Sequence, residues 1–397
     1  MIMSSSTQRV CVTIVSLITC LCLAYTAGFG TYSLWDKLKQ TSQPKPLPVF
    51  WEAWDRIEQY FYGEVPSPQE RTYGAIHATL ELLGDPYTVF VEPQPRELER
   101  DRLRGSFGGV GVTLWRDATG QMVLYPHPDS PAEREGILEG DVLLAVDHQV
   151  IYTDTTTVDD VRAWLHGEVG TTVTLTISRP PTPPFDLVIA RDEIQVPSVT
   201  WLVLDRAPDI GYVRVESFTE RTNDEIASAL QELLREADPI SGLILDLRSN
   251  FGGLIEPAVS VASQFLSDGV VLYEEYRDDR RRTFPVRDGG IATDIPLVVL
   301  VNGQTASASE IVAGALQDHE RAPLIGEPTF GKGVVQQIYD LSDGSCLHVT
   351  SAIWLTPNQH RITGEGLSPD IYVPQGDGSQ DEQLERAVAY LQSRVKE

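Results

Sequence analysis

The chain has 397 residues, 42% of them apolar and 22% charged, which is ordinary for folded protein and excludes a disordered polymer. That length exceeds one comfortable hydrophobic core, so two or three domains are expected. A formal charge of -26 argues against nucleic acid as a partner and would repel lipid headgroups from the soluble part.

No charged residue lies between Arg9 and Asp36, and residues 10–27 are nearly all apolar or small. About 20 helical residues cross the roughly 30 Å hydrocarbon layer of a membrane. Residues 1–35 are therefore expected to form a tail and one transmembrane anchor. The exit, Tyr25-Thr26-Ala27-Gly28-Phe29, fits a cleavage site poorly, and Leu17-Ile18-Thr19-Cys20 matches a lipoprotein box only loosely. Arg9 before the span and Lys37 and Lys39 after it leave its orientation open. Residues 36–48 contain Gln43-Pro44-Lys45-Pro46-Leu47-Pro48, a stiff spacer. Two helical patterns occupy residues 49–104, the first through Phe50, Trp54, Ile57 and Phe61, the second through Tyr73, Ile76, Leu80 and Leu83. Such an aromatic stripe is more often core or packing surface than a ligand box.

Residues 105–193 change to short β-rich runs. Gly108-Gly109-Val110-Gly111-Val112 leads into a strand, Gly120-Gln121 marks a hairpin, and Ser130-Pro131-Ala132 precedes Gly140-Asp141-Val142-Leu143-Leu144. A helix is expected at residues 158–165, and strands at 173–177 and 187–190. This order resembles a PDZ domain, whose glycine loop, in that family, offers backbone N–H groups to a peptide C-terminal carboxylate while the peptide adds a strand. By resemblance, Gly108 through Val112 would bind the peptide. The glycine run alone is a weak signal, and the absence of a βαβ context argues against dinucleotide binding. Pro180-Pro181-Thr182-Pro183-Pro184 reads as a rigid exposed loop.

From residue 194 to 375 strands and helices alternate. Thr222-Asn223-Asp224-Glu225 reads as a capping box; residues 243–247 and 297–301 read as buried strands, each followed by a helix. This predicts an α/β core with a largely parallel sheet, whose sites form where loops leave the carboxyl ends of strands. Asn250-Phe251-Gly252-Gly253 and Thr305-Ala306-Ser307 both fall there. Residues 376–397 read as a C-terminal tail or helix. Cys11, Cys20 and Cys22 sit in the apolar N-terminal run and Cys346 stands alone, so neither a disulfide framework nor metal spacing follows, and no metal site is expected. Cys346 reads as a small buried apolar side chain.

A hydroxyl at a strand-to-helix corner and a lysine in the turn Phe330-Gly331-Lys332-Gly333 suggest a nucleophile with its base. Ser307 and Ser309 both qualify as the hydroxyl. Read alone, Ser307-Ala308-Ser309-Glu310 is a helix capping box. Lysine acts as a base only when neutral, and burial among Phe330, Val334 and Val335, away from carboxylates, would favour that form.

Taken together, Asp246-Leu247-Arg248-Ser249-Asn250-Phe251-Gly252-Gly253, Thr305-Ala306-Ser307-Ala308-Ser309-Glu310, Phe330-Gly331-Lys332-Gly333 and Gln336 resemble the carboxyl-terminal processing peptidases, or tail-specific proteases. Leu83-Gly84-Asp85-Pro86-Tyr87, Trp354-Leu355-Thr356-Pro357 and Gly364-Glu365-Gly366-Leu367-Ser368-Pro369-Asp370 belong to the same pattern, which spans residues 50–373. The resemblance implies a ClpP/crotonase-like core and a serine endopeptidase working outside the cytoplasm on proteins with accessible C-termini, without cofactor or metal. It selects Ser307, 25 positions before Lys332, as nucleophile, makes Gln336 the residue that orients the amine, and assigns the oxyanion to the N–H groups of Gly253 and Ala308. Where the family usually carries arginine after the PDZ helix, this chain has His166, which would make any coupling to the active site weaker or pH-dependent. A homo-oligomer is compatible with the sequence. A catalytically silent membrane-anchored PDZ scaffold is the alternative of another class; a crotonase-type acyl-transfer enzyme is disfavoured by the inserted module.

Overall fold

The computed structural model describes residues 47–235, 240–376, 378 and 380–394. The expected anchor at residues 10–27 and the spacer through residue 46 lie outside them. Among the described residues no helix is long and apolar enough to cross a membrane.

Two compact units divide the chain, residues 1–72 and 73–397. In the first, helix α1 (Pro48–Tyr60) starts on its proline, whose missing N–H costs nothing at that position. Its aromatic stripe does not make a core: no residue of α1 is buried. Phe50 meets Trp54 edge-on at 6.3 Å, and the Arg71 guanidinium covers the Trp54 ring at 5.0 Å while pairing with Glu58.

Helix α2 (Pro68–Glu81) runs into the second unit, where the Tyr73 ring packs at a tilt against Phe90, centroids 4.9 Å apart, and the Tyr73 hydroxyl donates to Asp343 at 2.7 Å. Strand β1 (Val89–Val91) and helix α3 (Pro93–Arg104) follow, and Gly105 ends α3 in the left-handed conformation, φ 76°. The β-rich module then comprises β2 (Ser106–Gly109), β3 (Val112–Arg116), β4 (Met122–Pro126), α4 (Pro131–Arg134), β5 (Asp141–Val146), β6 (Gln149–Val150), α5 (Val158–Leu165), β7 (Thr172–Arg179), β8 (Thr182–Ala190) and β9 (Asp192–Gln195). Its antiparallel sheet runs β3-β4-β5-β7-β8 with β6 added to β5, and β2 pairs with β9 where the chain enters and leaves. Met122, Leu124, Ile137, Leu143, Leu175 and Ile177 fill its core. Each such burial contributes about 1.5–3 kcal/mol. The proline-rich stretch is not a free loop: β8 starts at Thr182 and includes Pro183 and Pro184. It tolerates them because it is the last strand of the sheet and its register against β7 is interrupted there, leaving Pro183 and Pro184 without paired partners.

The core proper holds β10 (Val199–Leu204), β11 (Ala207–Val215), α6 (Thr222–Leu233), β12 (Gly242–Asp246), α7 (Ile255–Ser263), β13 (Val270–Tyr276), β14 (Arg281–Pro285), β15 (Leu297–Val301), α8 (Ala308–Asp318), β16 (Leu324–Gly326), β17 (Val334–Asp340), β18 (Cys346–Leu355), β19 (Ile371–Tyr372) and α9 (Glu382–Arg394). One sheet runs β10-β11-β12-β15-β16-β19; only the β10–β11 pair is antiparallel. Every residue of β12 and β15 is buried, because helices cover both faces. Leu243, Leu245, Val299 and Val301 pack with Leu230, Ala262 and Val312, whereas Ile244, Val298 and Leu300 pack with Ala387 and Leu391 of α9. A second sheet is wholly antiparallel: β18 carries β17 along one edge, and β1 and then β13 along the other, with β14 outside β13. Parallel pairing is thus confined to one of the two core sheets. The expected capping box at α6 does not form: Arg221 is the N-cap, and Glu225 turns away to accept from Ser198 N–H and Oγ, both at 2.7 Å.

Candidate active site

Three segments meet at the carboxyl ends of β12 and β15. After β15 the chain turns on Asn302, whose Oδ1 accepts the N–H of Ser249 at 2.9 Å and of Gln304 at 3.1 Å. Thr305 is fully buried and donates to Leu247 O at 2.9 Å, tying this turn to the one after β12. Ser307 follows as the N-cap of α8 with φ 57° and ψ -116°. A non-glycine residue there costs about 1–3 kcal/mol and persists only where the surroundings impose it. Here Glu310 imposes it. Its carboxylate is fully buried and accepts four hydrogen bonds: Ser307 N–H at 2.8 Å, Lys332 N–H at 2.9 Å, Gly331 N–H at 2.7 Å and the Thr329 hydroxyl at 2.6 Å. Burial pushes the Glu310 carboxyl up, against the pull of these four donors. The sequence shows Glu310 only as half of a capping box; that it also anchors the lysine turn has no local signal.

Ser309 is spent on structure. It is fully buried, and its hydroxyl lies 2.6 Å from Asn250 O and 2.7 Å from Ala306 O. Ser307 lines the cleft.

Lys332 is half-buried in the same cleft. Its amine donates to Gln336 Oε1 at 2.7 Å, and Gln336 Nε2 donates to Tyr87 O at 2.6 Å. The Tyr87 ring lies 5.5 Å from the amine. No hydrogen bond joins Lys332 Nζ to Ser307 Oγ. Burial lowers the lysine pKa, opposed by the Glu99 carboxylate, assisted by the Arg102 guanidinium and opposed by Glu310. The expected surroundings need two corrections. Phe330 is 55% exposed and does not shield the amine, and two carboxylates do stand nearby. Gly331 adopts φ 87°, where a Cβ would meet Gly366 N at 2.8 Å, so the turn requires glycine.

The backbone donors lie opposite. Phe218 N–H bonds Gly252 O and Phe218 O accepts Leu254 N–H, the pattern of a parallel bridge, which turns the N–H of Gly253 away from its partner strand. Neither Gly253 N–H nor Ala308 N–H has an acceptor among the described residues. Ala308 opens α8, where free N–H groups and the helix dipole favour negative charge. Gly253 sits at φ 143°, and a Cβ would fall 2.2 Å from Phe218 O. Gly252 is wedged against Ser307 Cβ and Ala308 N. Asn250, fully buried, fixes the loop by donating to Val215 O at 2.8 Å and accepting Gly252 N–H at 2.9 Å. Ser307, Lys332, Gln336 and Gly253 thus border one cleft of about 790 Å³, with apolar walls from Leu254, Ile255, Val334 and Ile338.

A model of peptidase family S41 matches residues 209–373, and one of the PDZ domain matches residues 122–179. The carboxy-terminal-processing protease of Bartonella bacilliformis is 38% identical over 336 residues, covering 83% of this chain and 76% of that one. The chain belongs to this family. It is a serine-type carboxyl-terminal-processing endopeptidase with a PDZ domain. The corresponding protease of a Synechocystis species is 38% identical over 82% of this chain and 76% of its own. Among solved structures, the photosystem II D1 C-terminal processing protease is 33% identical with a TM-score of 0.49, covering 86% of this chain and 91% of that one.

In this protease the PDZ glycine run divides in two. Gly108 and Gly109 are paired with Glu193 and Asp192 in the β2–β9 neck, and Gly108 O accepts Gly167 N–H at 3.1 Å. The Val110 side chain is buried in the PDZ core, and Gly111 turns at φ 73° into β3. Strand β3 is an edge of its sheet with α5 packed beside it, and Val112, Leu114 and Val158 are only partly covered. His166, at the end of α5, contacts α3 and not the cleft: its Nε2 lies 2.6 Å from Asp101 Oδ2, and its ring stacks on Phe107 at 5.9 Å.

Proposed function

We propose that this protease holds the C-terminal tail of a protein substrate along β3 and hydrolyses a peptide bond of that substrate with a Ser307/Lys332 dyad. The observation that carries this reading is the half-buried Lys332 amine, bound by Gln336, in a cleft it shares with Ser307 and with Gly253, whose backbone N–H is unengaged. Once substrate is seated, Nζ moves from Gln336 to the Ser307 hydroxyl, since catalytic hydrogen bonds often tighten only in the substrate complex. Ser307 Oγ then attacks the carbonyl carbon as its proton passes to Lys332. The Gly253 and Ala308 N–H groups receive the oxyanion, and removal of one such donor costs about 3–4 kcal/mol in comparable sites. Collapse breaks the C–N bond, and the lysine ammonium gives its proton to the leaving amine. Lys332 next takes a proton from water, whose oxygen forms the new bond to the acyl carbon. Ser307 leaves with that proton returned to Oγ. No step calls on a cofactor.

Peptide addition to β3 would use its open edge, with Val110 and Gly111 at the end of the groove and Val112, Leu114 and Val158 receiving an apolar terminal side chain. The apolar run at residues 10–27 supports a membrane anchor, and the family resemblance favours a protease outside the cytoplasm; digestion by an external protease in intact cells would test that side.

An unstructured protein ending in apolar residues, incubated with wild type and with Ser307→Ala, tests the function. Cleavage by wild type, lost in Ser307→Ala while tail binding persists, is the expected result. Binding without cleavage by wild type would instead identify a silent scaffold.

A further inference from the structure

The wall of the cleft beyond Gln336 holds chemistry that peptide hydrolysis does not use. Cys346 and His348 lie two residues apart on β18, so both side chains leave the same face of the strand. Helix α3 places Glu99 over that face, with Glu99 Oε2 3.1 Å from His348 Nε2. Sγ of Cys346, Nε2 of His348 and a carboxylate oxygen of Glu99 all lie within 4.8 Å of one another. Cys346 is fully buried and unpaired in any disulfide. We propose that Glu99, Cys346 and His348 form a binding site for one thiophilic divalent cation of the zinc class.

The donor set is one sulfur, one nitrogen and one oxygen, the mixture that zinc accepts with three protein ligands and an open fourth position. Bonds of about 2.0–2.3 Å require ligand atoms roughly 3.3–3.6 Å apart, so from separations within 4.8 Å the triad closes by about 1.5 Å at most. Two of its ligands stand on a strand gripped by β17 on one edge and β1 on the other, which presets their spacing. Glu99 and His348 line the cleft, so the fourth position faces the space where substrate would lie. Cationic neighbours oppose a cation: Arg100 acts on Cys346 and Lys332 on Glu99, and Arg96 Nη1 lies 3.3 Å from Glu99 Oε2. That contact is the looser of its two, because Arg96 also holds Asp340 Oδ1 at 3.1 Å and keeps that partner when Glu99 turns to metal. Zinc takes cysteine as the thiolate, so binding releases the Cys346 proton.

Titration of the full-length reduced protein with Co²⁺, followed by absorbance, tests the site directly. The expected result is one equivalent bound with a near-ultraviolet thiolate-to-cobalt band that Zn²⁺ bleaches. Cys346→Ser abolishes the band, and His348→Ala weakens Co²⁺ binding by more than about ten-fold. Cys11, Cys20 and Cys22 remain in every variant, so any contribution from them is common to all. Circular dichroism and melting temperature confirm that each variant is folded. No Cys346-dependent band in wild type, or a band of undiminished affinity in folded His348→Ala, would overturn the proposal.

Discussion

Glu310 and Lys332 set the behaviour of the site one residue at a time. Both Glu310 oxygens accept, so Glu310→Gln turns an amide N–H₂ toward two donors and leaves buried N–H groups unpaired. A loss of about 2–4 kcal/mol is expected from two unsatisfied donors, seen as a lower melting temperature together with reduced kcat. Lys332 must be neutral to act as base. Because burial lowers its pKa, kcat/KM should rise with pH and level off below the 10.5 of an unperturbed lysine. Arg102 assists that lowering. Arg102→Gln removes a cation that disfavours the ammonium, so the rising limb moves to higher pH. A limb that stays in place would show that Arg102 has no such influence. At this scale the sequence offers candidates but not their supports. The family resemblance picks out Ser307 over Ser309, with Lys332 and Gln336, whereas Glu310, Asn250 and the Tyr87 carbonyl act across gaps of up to 249 residues that no local pattern records.

The β-to-α turns carry the backbone part of the site. Gly253→Ala forces a methyl to 2.2 Å from Phe218 O, so the loop must move and the N–H with it. Steady-state kinetics should show kcat lower by about 10²–10³-fold, the effect of losing one oxyanion donor, with tail binding kept. In the PDZ, Val158→Glu places a charge beside β3 and should raise KM at least ten-fold for a substrate with an apolar C-terminus while sparing kcat. Elements buried on both faces were legible as such: residues 297–301 are a continuous apolar run, and β15 has those bounds. Strands β17 and β18 escape the same reading because partly exposed faces mix polar and apolar residues, Gln336 and Gln337 beside Val335 and Ile338. Edge position explains why prolines, which read as a loop, sit in β8.

Across the whole molecule, α3 links the two functional parts. One turn carries Asp101, which meets His166 of the PDZ, and the adjacent positions carry Glu99 and Arg102, whose charges act on Lys332. His166→Arg places a permanent cation against Asp101. Its kcat/KM for a tailed substrate should differ from wild type; an unchanged value would remove His166 from the coupling. The His166–Asp101 contact could not be read along the sequence, since it joins two segments 65 residues apart. Cleavage by this route depends on an uncharged lysine amine acting on the Ser307 hydroxyl. Single-turnover cleavage of an unstructured, apolar-tailed protein by folded Lys332→Ala beside wild type measures that dependence. A fall of at least about 10³-fold, with the tail still bound, is the predicted result; digestion at the wild-type rate would contradict it.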